Sequence, residues 1–303
     1  MKKILLAITC LWAACISCSD DTKIGAPDEI LPDYVLPQGD ASEEANNRIQ
    51  QIFDTYTSYV LYNYTEKDAF WTQASADGSA QTYRVTMGET RYVDAMLDYI
   101  QDIWLQFFPE EFLKKGGMPY RVFLADSIYW ERDWGKIQYN YRVNGNALII
   151  GGMNANLTAM DAATKKARKN ELLGATWDYY IAQGLLDVPE EFYEDTDYET
   201  VPALPSAGAE ALEAYRKRGF LPSSYYNGIP GEWFWGSYAW TRAKENDLKS
   251  FLYNLREKTD EEVAWFLNNP EYELIQKKWN ILIDYYKKEF GIDLRKMGNT
   301  TFE

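Results

Sequence analysis

The sequence predicts an α+β chain, mainly helical, with a small mixed or antiparallel sheet. Three observations predict it. Apolar residues recur at helical spacing in the first and last thirds of the body. Short alternating runs cluster between residues 81 and 151, the last two joined by the turn signal Asn144-Gly145. The order helix, strand, helix, meander, helices is that of a layered α+β domain, with no internal repeat.

In chain order, Met1-Lys2-Lys3 precedes an apolar run from Ile4 to Ile16 broken only by Thr9, then Ser17-Cys18-Ser19-Asp20-Asp21. That run is too short for a stable membrane span and reads as an export signal over residues 1–18. Residues 19–41 are acidic, carry Pro27, Pro32 and Pro37 and lack periodicity, so they read as a tether. The body, residues 42–303, reads as one domain. Ile49, Ile52, Phe53, Tyr56, Tyr59, Val60 and Tyr62 predict a helix over 42–64, with Ser42 as N-cap and Glu43 and Glu44 in its first turn. Residues 81–87 alternate as a strand. Residues 90–115 predict a second helix, kinked or ended by Pro109. Strands are expected over 120–128, 136–143 and 147–151. Thr158 to Asp161 resembles a capping box opening a helix over 159–183, broken near Lys169 and stopped by Gly184. Residues 187–208 read as an exposed loop, and helices resume at 209–218, 232–256 and 272–290, the last stopped by Gly291.

Composition removes whole classes of chemistry. The 303 residues contain no histidine, and the three cysteines, Cys10, Cys15 and Cys18, all lie in the signal. Ser-His-Asp and Cys-His mechanisms are excluded, as are internal disulfides and thiolate metal sites in the body. The formal net charge is −15, or −17 once Lys2 and Lys3 are removed with the signal. Such a chain repels nucleic acid and anionic lipid heads, so membrane attachment requires acyl chains and not a basic patch.

Two stretches invite a ligand reading. Tyr225, Tyr226, Trp233, Phe234 and Trp235, with Glu232 among them, form either a stacking platform for a glycan or peptide or an aromatic anchor for the next helix. Gly151-Gly152 after a strand suggests a phosphate loop or, more simply, a tight exit from the strand, because the fingerprint spacing is missing. Glu171 with Asp178 or Glu232 could form a carboxylate pair for acid/base hydrolysis of a glycoside, although acidic residues are numerous throughout.

Four places together carry a family resemblance: the signal, the helix Asn170-Glu171-Leu172-Leu173-Gly174 through Trp177 and Gln183, the stretch Gly219-Phe220-Leu221 into Glu232-Trp233-Phe234, and Lys278-Trp279 through Tyr285-Tyr286 to Gly291-Ile292-Asp293-Leu294. On these the chain resembles the zinc-binding metallopeptidases of Bacteroidetes, also described as substrate-import-associated zinc metallohydrolase lipoproteins. The resemblance implies a zincin-like metallopeptidase fold, lipidation at Cys18 with Cys15 as competing site, and lipid-anchored display at the outer-membrane surface. It implies as partners a TonB-dependent transporter and the surface lipoproteins of a nutrient-import system.

In that family the helix reads His-Glu-x-x-His, where two imidazoles hold Zn²⁺ and the glutamate activates the metal-bound water. Here the first ligand position falls on Asn170, the general base on Glu171 and the second ligand position on Gly174. Glu232 is the nearest candidate for a third ligand. The resemblance therefore implies a degenerate member: zinc, expected in the family, is expected to be lost here, leaving a vestigial Glu171. Three roles remain open, namely a non-catalytic binding component, an active hydrolase using carboxylates or an oxygen-ligated metal, and a purely structural accessory subunit. As a segment considered alone, Asn170 to Gly174 is an ordinary piece of helix with Glu171 in solvent.

Overall fold

The protein is represented by a computed structural model that describes residues 32–69, 71–74, 80–132, 135–200, 209–221 and 242–303. The elements below belong to the compact unit Leu36–Glu303. Cys18, Tyr225, Tyr226, Glu232, Trp233 and Trp235 lie outside the described residues.

Helix α1 (Glu43–Tyr56) begins as its sequence dictates: the Ser42 hydroxyl accepts from the Ala45 N–H at 2.9 Å, with Glu43 and Glu44 in the first turn. It ends earlier than its apolar spacing suggests. Thr57 turns left-handed at φ 55° and Tyr59–Leu61 become strand β1. The reason is tertiary: β1 pairs in parallel with Arg121, Val122 and Phe123, and all three of its residues are buried. Strands β2 (Trp71–Ala74) and β3 (Ala80–Met87) pair antiparallel. Helix α2 (Val93–Ile103) is shorter than the expected span of 90–115. At Trp104 the backbone leaves helical geometry, and the indole turns inward to donate to the Tyr180 hydroxyl at 3.1 Å.

The sheet is larger than the expected meander. Strands β4 (Arg121–Arg132), β5 (Gly135–Tyr139), β6 (Tyr141–Asn144) and β7 (Ala147–Gly151) complete seven strands. The expected run over 136–143 divides at Asn140. Strand β4 is the axis, and it changes partners halfway. Its first half, Arg121–Ala125, lies in parallel between β1 and β7; its second, from Ile128, lies antiparallel between β3 and β5. Gly145 at φ +57° serves the β6–β7 hairpin, as the Asn-Gly signal requires.

Helix α3 (Ala162–Ala182) runs unbroken through Lys169. Its N-cap is Asp161 and not Thr158: the Asp161 carboxylate accepts from the Thr164 N–H at 2.7 Å. Asp satisfies the orphan amides directly, so the box one turn earlier is not needed. Within the expected exposed loop, most of residues 187–200 are indeed exposed, but a short helix over Glu191–Glu194 buries Phe192, and Tyr198 bonds to Asp247. Helices α4 (Ala209–Lys217), α5 (Ala243–Glu257), α6 (Asp260–Leu267), α7 (Glu273–Phe290) and α8 (Leu294–Asn299) follow. Helix α6, not anticipated, opens on a reciprocal capping box between Thr259 and Glu262. Gly291 at φ +68° stops α7.

One face of the sheet, through Val60, Val122, Leu124, Leu148 and Ile150, packs on a helical layer that includes Met96, Leu172, Leu173, Phe251 and Leu282. Each such side chain, removed from water, contributes roughly 1.5–3 kcal/mol. That layer fixes α3 against the sheet. No helix among the described residues is long and apolar enough to cross a membrane.

Candidate functional site

Helix α3 presents two unlike faces. Leu172, Leu173, Thr176, Trp177 and Tyr180 are buried, whereas Glu171 and Asp178 are exposed. Tyr180 anchors the inner face: it accepts from the Trp104 indole and donates to the Gly117 carbonyl at 2.9 Å. Burial pushes its pKa upward, so it remains a phenol.

Glu171 sits where α3 passes the junction of β5 and β6. Asn140, between those strands, donates its amide to Glu171 Oε2 at 2.5 Å. The Tyr141 phenol lies close enough to feel the charge of this carboxylate. Burial raises the Tyr141 pKa first, and the charge of Glu171 raises it further, so the phenol keeps its proton. Glu171 is therefore an exposed residue tied to the sheet margin through Asn140.

Asn170 and Gly174, the two ligand positions implied by the resemblance, face a different environment. Asn170 Oδ1 is buried and accepts no hydrogen bond among the described residues. A Cβ added at Gly174 would stand 3.8 Å from Nη2 of Arg256, the next to last residue of α5. Arg256 is itself buried, with its guanidinium 5.4 Å from the centre of the Trp177 ring. Trp177 in turn meets Tyr286 of α7 edge to face at 4.9 Å. A guanidinium thus occupies the space beside the helical face that would have to receive a cation.

A second carboxyl, missed in the sequence, joins the group. Burial pushes Glu257 up, opposed by Arg256, Lys169 and other nearby lysines. Both Glu257 and Glu171 raise the pKa of Tyr141, so both act at the same phenol. Lys169, buried under α8 and donating to the Met297 carbonyl, is pushed down to about 8 by burial and by Lys166. Among the described residues no cluster of three His, Cys, Asp or Glu side chains is arranged to hold a metal.

Two openings flank Glu171. One, of about 430 Å³, lies between β6 and the C-terminal half of α3 and is lined by Tyr141, Arg142, Asp178, Tyr179 and Gln183 among others. The other, of about 360 Å³, lies beside Asn140 and Arg168. Asp178, the proposed partner of Glu171 in a carboxylate pair, lies on the first opening. It is two helical turns from Glu171, roughly 10 Å along the axis. Arg256, Glu257, Asn140 and Tyr141 had no local signal in the sequence: Asn140 sits at an ordinary polar position in the unbroken alternation from Lys136 to Val143.

No family model and no curated protein matches the chain. Among solved structures it is similar to a crystal structure from Bacteroides caccae described as a "putative zinc-binding metallo-peptidase". The identity is 10% and the TM-score 0.44, over 85% of this chain and 91% of that one.

Proposed function

We propose that this chain is a surface lipoprotein that binds and does not cleave: a non-catalytic component of an outer-membrane nutrient-import system, built on a metallopeptidase-like scaffold that has lost its metal. The observation that carries the reading is the Arg256 guanidinium beside Gly174. Zinc needs a nitrogen-rich tetrahedral donor set, and this face offers an amide oxygen, a bare glycine and a permanent positive charge. The donor set does not fit zinc. Without a metal, water keeps its high pKa, and Glu171 has no activated nucleophile to deprotonate. Its carboxylate instead ties α3 to the β5–β6 junction. Lipid attachment and the import partners rest on the sequence resemblance.

A metal-free hydrolase is the second reading, favoured by the exposed Glu171 carboxylate at the sheet margin with a second carboxyl, Glu257, that burial pushes up. Elemental analysis of the purified body after dialysis against micromolar zinc tests the main reading. Less than a tenth of a zinc per chain is expected, by order of magnitude. One retained zinc per chain would overturn it. Glycoside or peptide hydrolysis abolished by Glu171→Gln, without added metal, would replace it with the second.

A further inference from the structure

The partner change of β4 leaves a gap in the sheet. On one edge β7 stops at Gly151, opposite Ala125, and β5 begins pairing only at Tyr139, opposite Ile128. On the other edge the register shifts, with Met87 opposite Ala125 and Thr86 opposite Ser127, so Asp126 is a bulged residue without a partner in the ladder. Bulges re-aim side chains, and crevices form at the carboxyl ends of parallel strands where the strand order diverges. The opening of about 360 Å³ is this gap.

Its walls are polar and planar: the carboxylate of Asp126, the amides of Gln138, Asn140, Asn154 and Asn156, and the guanidinium of Arg168. The site is built around glycine. At Gly152, φ is +105°, and a Cβ there would lie 2.5 Å from Arg168 Nη1, so only glycine lets that guanidinium reach the Gly151 carbonyl at 3.3 Å. Asn154 donates to Asp126 at 2.5 Å, which holds the carboxylate in place.

The chemistry selects the ligand. A phosphate would need free amides, but the N–H groups of Gly151, Gly152, Met153 and Asn154 are spent on Asn140, Asp126, Ala125 and Gly152 carbonyls. Asp126 and the neighbouring Glu171 oppose an anion, as does the net charge of −15. Arg168 opposes a cation. What remains is a neutral ligand dense in donors and acceptors, which paired amides and a carboxylate recognise through vicinal hydroxyls.

Resting on the binding reading above, we infer that the gap at Asp126 is a subsite for a neutral saccharide, reached beside Glu171. Gln138 and Asn156 are exposed at its mouth and contact the sugar. The test is calorimetric titration of the full mature chain with neutral maltotetraose, xylotetraose and galactotetraose, with anionic tetragalacturonate and penta-alanine as controls. At least one neutral tetrasaccharide is expected to bind saturably. Gln138→Ala with Asn156→Ala should weaken it about tenfold, the loss of two hydrogen bonds, while Trp265→Ala on α6 leaves it unchanged. Binding of the peptide or the anionic sugar alone, no binding of any probe, or sugar binding indifferent to the double variant would each overturn the inference. Zinc content measured on the same preparation separates failure of this assignment from failure of the binding reading.

Discussion

Replacing Lys278 by Met should destabilise the protein by several kcal/mol, and replacing its partner as well should restore most of the loss. Lys278 and Asp247 are 2% and 0% exposed and form an ion pair. The ammonium also donates to the Gly219 carbonyl at 3.0 Å and to the Tyr198 hydroxyl at 3.2 Å. Its charge lies 4.6 Å from the ring centre of Phe192 and 4.9 Å from that of Phe251. Burial lowers the Lys278 pKa and raises that of Asp247, and each charge opposes the shift of the other. Removing one partner strands a carboxylate in an aromatic interior, a loss of about 3–5 kcal/mol. With a urea m-value near 3 kcal/mol/M, that moves the midpoint down by roughly 1–1.7 M. The double variant Lys278→Met with Asp247→Leu leaves no charge behind and should lie within about 1–2 kcal/mol of the parent. Urea unfolding followed by tryptophan fluorescence and circular dichroism measures all three. A single variant within about 1 kcal/mol of the parent, or a double variant no better than Lys278→Met, would show that the buried pair does not carry this stability.

Lys169 supplies a pH signature. Its folded pKa of about 8 lies below the ordinary lysine value of 10.5, so between these values the unfolded chain holds a proton that the folded one has released. Stability from this group rises with pH from about 8 toward 9.5, below the range where unfolded tyrosines ionise; urea midpoints across that interval should climb, and Lys169→Met should reduce the slope. An unchanged slope in the variant would assign the effect elsewhere. For the anchor, Cys18→Ala should abolish acylation, read by metabolic labelling with a fatty acid, whereas labelling retained in that variant would move the anchor to Cys15.

Much of the local structure was legible because its causes are local. Ser42 caps α1, Gly291 stops α7, and Asn144-Gly145 turns the β6–β7 hairpin, each through a side chain or a φ that acts within four residues. The helix carrying Asn170, Glu171 and Gly174 was legible too, as was the absence of histidine, which leaves no imidazole anywhere in the chain. Strand β1 was not: Tyr59, Val60 and Leu61 fit a helical stripe, and only a parallel partner 62 residues away makes them a strand. The aromatic stretch at residues 225–235 lies outside the described residues, so its role stays with the sequence.

At the site the division is the same. Residue identities at the two positions that the resemblance aligns with metal ligands are properties of the sequence, because an amide and a bare backbone lack imidazole nitrogen wherever the chain folds. What stands beside them is a tertiary matter. Arg256 reaches Gly174 from another helix, Asn140 and Tyr141 reach Glu171 from the sheet, and Asp126 is re-aimed by a bulge that exists only once β3 and β4 are in register. Periodicity reports which face of an element is apolar. It carries no information about which distant side chain meets that face, because such contacts are fixed by the mutual packing of whole elements.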